Sequence, residues 1–169
     1  MTVATFGSRW READERVGVE VILNGSRATL RASPRWTLAD AVRAHGLTGT
    51  HLGCEHGVCG ACTVLLDSEP VRACLVLAVQ TDGRRVDTVE GLAHGDELHP
   101  VQAAFHAERA LQCGFCTPGF VVLVAWLVDN EPDAVDQRVR DVLASNLCRC
   151  TGYGPILAAT RAVLEQNRV

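Results

Sequence analysis

Alternating apolar and polar positions characterise the first half of the chain. Residues 17–23 read Val-Gly-Val-Glu-Val-Ile-Leu, a run rich in strand-forming residues. Asn24-Gly25 follows as the signature of a two-residue hairpin turn, and residues 28–32 alternate again as the return strand. The same half carries shorter predicted elements: strands at 63–66, 71–73 and 85–89, and a turn at 67–70. The pattern therefore predicts a small β-sheet.

One short helix interrupts this β-rich region. Thr37 is a suitable N-cap, because its hydroxyl can accept a hydrogen bond from the first free amides of a helix. Leu38, Ala41 and Val42 recur at helical spacing and predict its inner face. Gly46 supplies a natural stop. The first half is thus expected to be a small mixed α/β unit.

From about Gly91 onward, apolar residues recur at the spacing of helices, whereas before it they recur at the spacing of strands. Pro118 fits the first turn of a helix, because the N–H groups of that turn make no hydrogen bond within the helix and proline lacks an N–H. Leu111 and Val135 fall on the predicted inner faces of two of the segments. The predicted helices cover residues 101–111, 118–127, 135–145 and 156–164. A second, helical domain is therefore expected, with a boundary near residues 90–98.

Composition narrows the class of protein. The chain has 169 residues, 47% of them apolar, and a net charge of −4, so the basic excess of a nucleic-acid binder is absent from the sequence. No apolar run approaches the roughly 18 residues of a membrane span. Residues 1–16 are charged and lack the apolar segment of a secretory signal, which predicts an N-terminal extension. We expect a cytoplasmic protein, with membrane association or export through a partner subunit as alternatives.

Eight cysteines are the unusual feature of the composition. Four disulfides of a secreted scaffold are one interpretation, but the cysteines fall into two groups of four rather than being scattered. The first group is Cys54, Cys59, Cys62 and Cys74, with the spacing C-x4-C-x2-C-x11-C. Its first three members match the plant-type [2Fe–2S] pattern, which needs one more cysteine downstream.

Glycines alternate with ligands in this first loop. Gly53, Gly57 and Gly60 allow the backbone to approach a cluster closely and to point amides at its sulfurs. Zinc would account for Cys59 and Cys62 as a C-x2-C pair, but not for a third cysteine so close by. A Rieske centre needs two histidines, and His56 is the only one placed for it. The pattern favours a [2Fe–2S] cluster with four cysteine ligands.

The second group has a different spacing, C-x2-C-x31-C-x1-C, and consists of Cys113, Cys116, Cys148 and Cys150. One pair lies between the first and second predicted helices of the helical region, and the other between the third and fourth. Turns at the same end of a helical bundle can meet, so the four sulfurs can share a metal site. On spacing alone, zinc fits this group nearly as well as a cluster does.

Three motifs carry a resemblance to a known family. Residues 54–64 read Cys-Glu-His-Gly-Val-Cys-Gly-Ala-Cys-Thr-Val, residues 112–119 read Gln-Cys-Gly-Phe-Cys-Thr-Pro-Gly, and residues 146–153 read Asn-Leu-Cys-Arg-Cys-Thr-Gly-Tyr. In this order they resemble the cluster motifs of the molybdenum hydroxylases, the xanthine oxidase family, which includes aldehyde oxidoreductases and aerobic carbon monoxide dehydrogenases. The resemblance covers residues 17–165. The short length is similar to that of the separate iron–sulfur small subunit of bacterial members.

The resemblance implies an α+β fold and a division of the chain. A plant-type ferredoxin-like β-grasp domain is expected at residues 17–92, after the extension at 1–16. A four-helix-bundle [2Fe–2S] domain is expected at residues 93–169. Each domain would hold one cluster through its own four cysteines.

The resemblance also implies an electron-transfer function. Electrons would leave a molybdopterin-bound molybdenum centre on a large subunit, pass through this chain, and reach FAD on a medium subunit, in a complex expected to be a dimer of heterotrimers. Gln112 and Cys150 match family residues that lie against the pterin, and an amide can both donate to and accept from a pterin edge. A helix-end glutamine bonded to backbone carbonyls is the alternative for Gln112. No catalytic residue is assigned to the chain, and the sequence does not identify the substrate. A free-standing electron carrier and a zinc-binding structural module remain as alternative functions.

Overall fold

The structure, a computed structural model, describes residues 15–167. Most of the predicted extension at residues 1–16 therefore lies outside the described residues. The first half contains five strands and a helix: β1 Val17–Leu23, β2 Ser26–Ala32, α1 Leu38–Ala44, β3 Thr63–Leu66, β4 Glu69–Arg72 and β5 Arg85–Asp87. The second half contains four helices: α2 Pro100–Ala107, α3 Thr117–Asn130, α4 Asp136–Leu143 and α5 Gly154–Gln166. The chain is a small mixed α/β protein.

The strands form one sheet in the order β2-β1-β5-β3-β4. β1 and β2 are antiparallel and joined at Asn24-Gly25, where both residues have positive φ angles of 49° and 82°. This confirms the predicted hairpin, because a tight turn of this hand requires positive φ at its centre. β3 and β4 form a second antiparallel hairpin, and β5 lies between β1 and β3. This second hairpin lies between two cysteines, because Cys62 directly precedes β3 and Cys74 follows β4.

Helix α1 begins as the sequence predicts. The Asp40 amide donates to Thr37 Oγ1 over 3.1 Å, and the Thr37 amide donates to Asp40 Oδ2 over 3.0 Å. This reciprocal capping box satisfies two amides at the helix start. Leu38 and Val42 are fully buried against the sheet, which confirms the predicted inner face. The helix thereby anchors the start of the long loop that carries the first three cysteines.

The four helices α2 to α5 share a separate apolar core. Phe105, Phe120, Leu127 and Ile156 are essentially inaccessible to solvent at its centre. A different set of buried residues fills the space between the sheet and α1. We call the part built on the sheet the sheet half and the part built on α2 to α5 the helical half. Within residues 15–167, no helix is both long and apolar enough to cross a membrane.

Two sequence-based placements in the helical half are wrong. Leu111 was expected on an inner face, but α2 already ends at Ala107 and Leu111 is 41% exposed. The chain leaves the helix through Arg109, whose φ is +52°, so the helical period stops before Leu111. Val135 is the N-cap of α4 rather than part of its inner face, and it is 68% exposed. In both cases an apolar residue continues the helical spacing just outside the helix.

Candidate metal centres

The β3–β4 hairpin and the loop before it bring the first four cysteines together. Cys54, Cys59 and Cys62 lie on the loop between α1 and β3, and Cys74 lies in a short 3-10 turn directly after β4. Antiparallel pairing of the two strands places Cys74 beside Cys62, and the Ala73 amide donates to the Cys62 carbonyl over 3.2 Å. The Cys62 thiol is near enough to Cys74 to raise the pKa of Cys74, and the Cys59 thiol is near enough to Cys54 to contribute to the lowered pKa of Cys54. The quartet is therefore assembled as two pairs.

Backbone amides surround the sulfurs of this first quartet. The Cys59 amide donates to Cys54 Sγ over 3.3 Å, and the amides of His56 and Val58 also point to that sulfur. Hydrogen bonds from Cys59 and His56 lower the pKa of Cys54 to about 6. Burial and the neighbouring Cys62 thiol raise the pKa of Cys74 to about 11. The loop thus offers the donors that a thiolate-ligated, negatively charged cluster needs.

The conformation of this loop depends on positive φ angles. Gly57 and Gly60 have φ of +84° and +72°. A Cβ on Gly57 would collide with the Leu75 side chain. A Cβ on Gly60 would collide with the buried Asn146 of the helical half. Positive φ at Gly57 and Gly60 is thus confirmed, whereas Gly53, named with them in the sequence, does not have it; their approach to a cluster stays a prediction.

His56 is turned toward the main chain. Its Nδ1 donates to the Cys54 carbonyl over 2.5 Å. The imidazole therefore helps to fix the loop, and the contact supports the interpretation of His56 as a loop residue. Four cysteines are available without it.

The second quartet lies where two inter-helical turns meet. Cys113 and Cys116 come between α2 and α3, and Cys148 and Cys150 come between α4 and α5. The sulfurs of Cys113 and Cys150 are 3.6 Å apart, and the thiols of Cys116 and Cys148 also contact each other. The first pair is exposed and the second is half-buried, so one side of this quartet faces solvent.

Cys116 and Cys148, the half-buried pair of this quartet, have pKa values that are shifted in opposite directions. Burial, together with the Cys148 thiol, raises the pKa of Cys116 to about 12. Burial also opposes ionisation of Cys148, but hydrogen bonds from Thr151 outweigh it and lower the pKa of Cys148. The Thr151 hydroxyl lies 3.1 Å and its amide 3.5 Å from Cys148 Sγ. Metal binding requires thiolates, and Thr151 stabilises one of them.

Both quartets fit a binuclear cluster. Each consists of two close cysteine pairs, and each iron of a cysteine-ligated [2Fe–2S] cluster takes two thiolates. Among residues 15–167, no three Cys, His, Asp or Glu side chains lie close enough together to hold a metal ion, the members of the two quartets included. The features of both sites that favour a [2Fe–2S] cluster are thus the paired sulfurs and the amide donors.

Tyr153 holds the turn that carries Cys148 and Cys150. Its hydroxyl donates to the Asn146 carbonyl over 2.9 Å and accepts from the Cys148 amide over 3.1 Å. Its own backbone is left-handed, with φ of +66°, directly before α5. The phenol therefore joins Asn146 to Cys148 at the beginning of this turn.

Replacing Tyr153 by Phe tests this link. Removing the hydroxyl leaves a carbonyl and an amide without their partner, which we expect to cost about 1–2 kcal/mol in the free energy of unfolding. Denaturant titration of the wild type and the variant measures the difference. An unchanged free energy of unfolding would mean that water replaces the hydroxyl without loss.

The two quartets adjoin along a contact that we call the seam, formed by residues 59–63 and Arg72 of the sheet half against Gly119 and residues 145–147 of the helical half. The Leu147 amide donates to the Cys59 carbonyl over 2.8 Å. Asn146, only 1% exposed, donates from Nδ2 to the Gly60 carbonyl over 3.3 Å. A single main-chain hydrogen bond therefore joins a residue of the first quartet to the residue that precedes Cys148.

A second contact between the halves lies beside the seam. His51 Nδ1 donates to the Phe115 carbonyl over 2.7 Å, and the two rings stack with their centroids 4.9 Å apart. Phe115 is the residue before Cys116. This stacking fixes the loop of the second quartet against the start of the first.

The surroundings of each quartet are exposed and partly apolar. Gln112 lies next to Cys113 and is exposed, as is Cys150. Phe115 and Leu147, 46% and 52% exposed, lie beside the second quartet in sequence. Val58, Leu75 and Leu77 are similarly exposed around the first quartet. Sequence reasoning had singled out Gln112 and Cys150, but it missed Arg72 and Asn146, because neither belongs to a ligand spacing.

Two family models and several known proteins are similar to this chain. A family model of a 2Fe-2S iron-sulfur cluster binding domain matches residues 21–93, and a model of a [2Fe-2S] binding domain matches residues 88–161. The nicotine 6-hydroxylase small subunit of Paenarthrobacter nicotinovorans is 51% identical, covering 86% of this chain and 88% of its own length. Caffeine dehydrogenase subunit gamma of Pseudomonas sp. (strain CBB1) is 46% identical over 89% of this chain and 93% of the relative. The solved structure of quinoline 2-oxidoreductase from Pseudomonas putida 86 matches with a TM-score of 0.87 and 44% identity, covering 91% of this chain and 97% of that one.

Proposed function

Because the chain belongs to the family of iron–sulfur small subunits of the molybdenum hydroxylases, we propose that its eight cysteines ligate two [2Fe–2S] clusters. The chain is the electron-transfer subunit of an oxidoreductase. The ligands of one cluster are Cys54, Cys59, Cys62 and Cys74. The ligands of the other are Cys113, Cys116, Cys148 and Cys150. The observation that carries this proposal is the pairing of sulfurs in both quartets.

We further propose that the chain is divided into two domains at the boundary expected from its sequence. Residues 17–92 would be the ferredoxin-like β-grasp domain and residues 93–169 the four-helix-bundle domain, after the extension at 1–16. The separate apolar cores of the sheet half and the helical half support this division. The two family models, which overlap only at residues 88–93, support it as well.

The residues around each quartet hold its thiolates in place. Amides of the 54–59 loop stabilise Cys54, and Thr151 stabilises Cys148. A [2Fe–2S] cluster bound by such thiolates takes up and releases a single electron. The seam holds the two quartets next to each other, so the chain presents two redox sites at a fixed separation. Positioning cofactors is the contribution of this subunit to the reaction.

We propose that the two quartets face different partners. The second quartet would face a molybdopterin-binding large subunit, since Gln112 and Cys150 are exposed beside it. The first quartet would face an FAD-binding medium subunit, and its exposed apolar neighbours Val58 and Leu75 suit a protein interface. Electrons would then run from the second quartet to the first. A dimer of heterotrimers is the assembly that the family resemblance supports.

Replacing Gln112 by Ala tests its proposed contact with the pterin. Loss of one or two hydrogen bonds to the cofactor should lower turnover about tenfold, while both clusters stay assembled. Gln137→Ala is the matched control, because this glutamine is exposed on α4 and bonds only Asp141 in the structure. Dye-coupled activity and the EPR signals of both clusters are the measurements. Loss of both clusters would instead make Gln112 a folding residue.

Purification of the native complex tests the assignment of partners. An affinity tag on this chain should capture a large subunit with molybdopterin and a medium subunit with FAD, in equal amounts. A chain that is isolated alone, with both clusters and full redox activity, would favour the free-standing electron carrier. The tag belongs at the C-terminus, so that residues 1–16 stay unmodified.

For the substrate of the complex we propose a nitrogen heterocycle. The names of the three relatives described above refer to nicotine, caffeine and quinoline, all of which contain nitrogen in a ring. The substrate site itself is expected on the large subunit. A dye-coupled screen of heterocycles and aldehydes should show oxidation of the former, and oxidation of aldehydes alone would contradict this proposal.

A further inference from the structure

A single arginine connects the two cysteine loops across the seam. Arg72 ends β4, two residues before Cys74. Its Nη1 donates to Thr63 Oγ1 over 2.5 Å, and its Nη2 donates to the Ser145 carbonyl over 2.6 Å. Thr63 directly follows Cys62, whereas Ser145 lies three residues before Cys148. One guanidinium thus bonds both the sheet half and the helical half next to their ligands.

The charge of this guanidinium is not neutralised by a carboxylate. Both of its acceptors are uncharged oxygens, a hydroxyl and a carbonyl. Several other arginines pair with acids, as Arg84 does with Asp67 and Arg138 with Glu131, whereas Arg43 also donates to backbone carbonyls. Among residues 15–167, no ion pair involves Arg72. A fixed positive charge therefore lies at the half-buried contact between the two quartets.

We propose that Arg72 is a positioning residue that clamps the seam and whose unpaired charge raises the reduction potential of the cluster held by Cys54, Cys59, Cys62 and Cys74. This inference rests on the proposed function, since it requires a cluster in each quartet. Reduction adds negative charge to a cluster, and a nearby cation stabilises that charge. Net charge and hydrogen bonding around the ligands are known determinants of cluster potential.

The effect should be larger on the first quartet than on the second. Arg72 and its acceptor Thr63 lie within two residues of Cys74 and Cys62, whereas the acceptor on the other side is three residues from Cys148. The charge would therefore bias an electron toward the first quartet. That bias has the direction of the proposed relay, from the pterin side to the flavin side.

Substitutions at Arg72 separate its charge from its hydrogen-bonding geometry. Arg72→Gln removes the charge and keeps a donor. Arg72→Lys keeps the charge but cannot form the two-pronged contact with both halves. Arg84→Gln is the matched control, because it also removes one arginine charge, but from a surface ion pair at the far end of β3.

EPR-monitored redox titration of the purified holoprotein complex is the measurement. In Arg72→Gln the reduced-to-oxidised ratio of the first-quartet cluster at a fixed potential should fall about tenfold, which equals about 59 mV for a one-electron couple. The second-quartet cluster should shift less. In Arg72→Lys and Arg84→Gln both potentials should stay close to those of the wild type.

Several results would overturn the proposal. Unchanged potentials in Arg72→Gln would show that the charge has no influence, and an equal fall in Arg72→Lys would show that charge is not the cause. If Arg72→Gln and the neutral Arg72→Met both fail to assemble clusters that Arg72→Lys retains, the charge is required for assembly of the protein and its proposed role in setting the potential is rejected. A wild type without two cluster signals would instead contradict the proposed function itself, which keeps the two failures distinct.

Discussion

Cys113→Ser should abolish turnover with an acceptor on the flavin side while leaving the first cluster in place. Cys113 Sγ lies 3.6 Å from Cys150 Sγ, and the two form the exposed pair of the second quartet. A serine hydroxyl is a poor substitute for a thiolate toward iron, so the cluster of the second quartet should be lost or strongly perturbed. Turnover should fall at least about 100-fold, because even loss of a supporting residue at a metal site costs 10- to 100-fold.

The reciprocal variant provides the control for this result. Cys74→Ser removes a ligand from the first quartet, on the other side of the seam. It should eliminate the first cluster and spare the second. EPR of the reduced complexes distinguishes the two signals, and dye-coupled assays report turnover. Loss of both clusters in both variants would show that the quartets do not assemble independently, and unchanged activity in Cys113→Ser would contradict the proposed order of electron transfer.

Gly60→Ala should strongly destabilise the protein. Gly60 has φ of +72°, where an L-residue costs about 1–2 kcal/mol. Its added Cβ would also collide with the side chain of Asn146, which is buried, and would lie 3.1 Å from the Cα of Asn146. Strain and collision together predict a loss of about 3 kcal/mol in the free energy of unfolding, with separation of the two halves at the seam.

Gly83→Ala isolates the contribution of the collision. Gly83 has a nearly identical φ of +75°, but a Cβ there would meet nothing within 4 Å. Only the backbone strain remains, so its loss should be about 1–2 kcal/mol. Denaturant titrations of the two variants give the difference. Equal losses would mean that Asn146 moves aside and that the seam tolerates a wider separation.

Local patterns in the sequence were sufficient for several elements. The Asn24-Gly25 hairpin, the Thr37 cap of α1 and the strand at 63–66 are confirmed, because each depends on residues that are neighbours in sequence. The cysteine spacings led to two quartets, and the structure brings the sulfurs of each into close pairs. Their role as cluster ligands remains a prediction.

Contacts between distant residues could not be read from the sequence. Arg72 and Ser145 are separated by 73 positions, and Asn146 and Gly60 by 86. No periodicity links such residues, since the seam arises only when the two halves dock. The misplacement of Leu111 has a related cause, because the left-handed residue Arg109 ends the helical path and apolar spacing carries no information about it.

Iron content and EPR of the reduced protein test the central claim most directly. If both quartets hold [2Fe–2S] clusters, the coloured protein should contain about four iron atoms per chain and show two distinct signals on reduction. It should contain no stoichiometric zinc. A colourless protein with zinc bound to the cysteines, no iron and no EPR signal after reduction would contradict the assignment of this chain as a two-cluster electron relay.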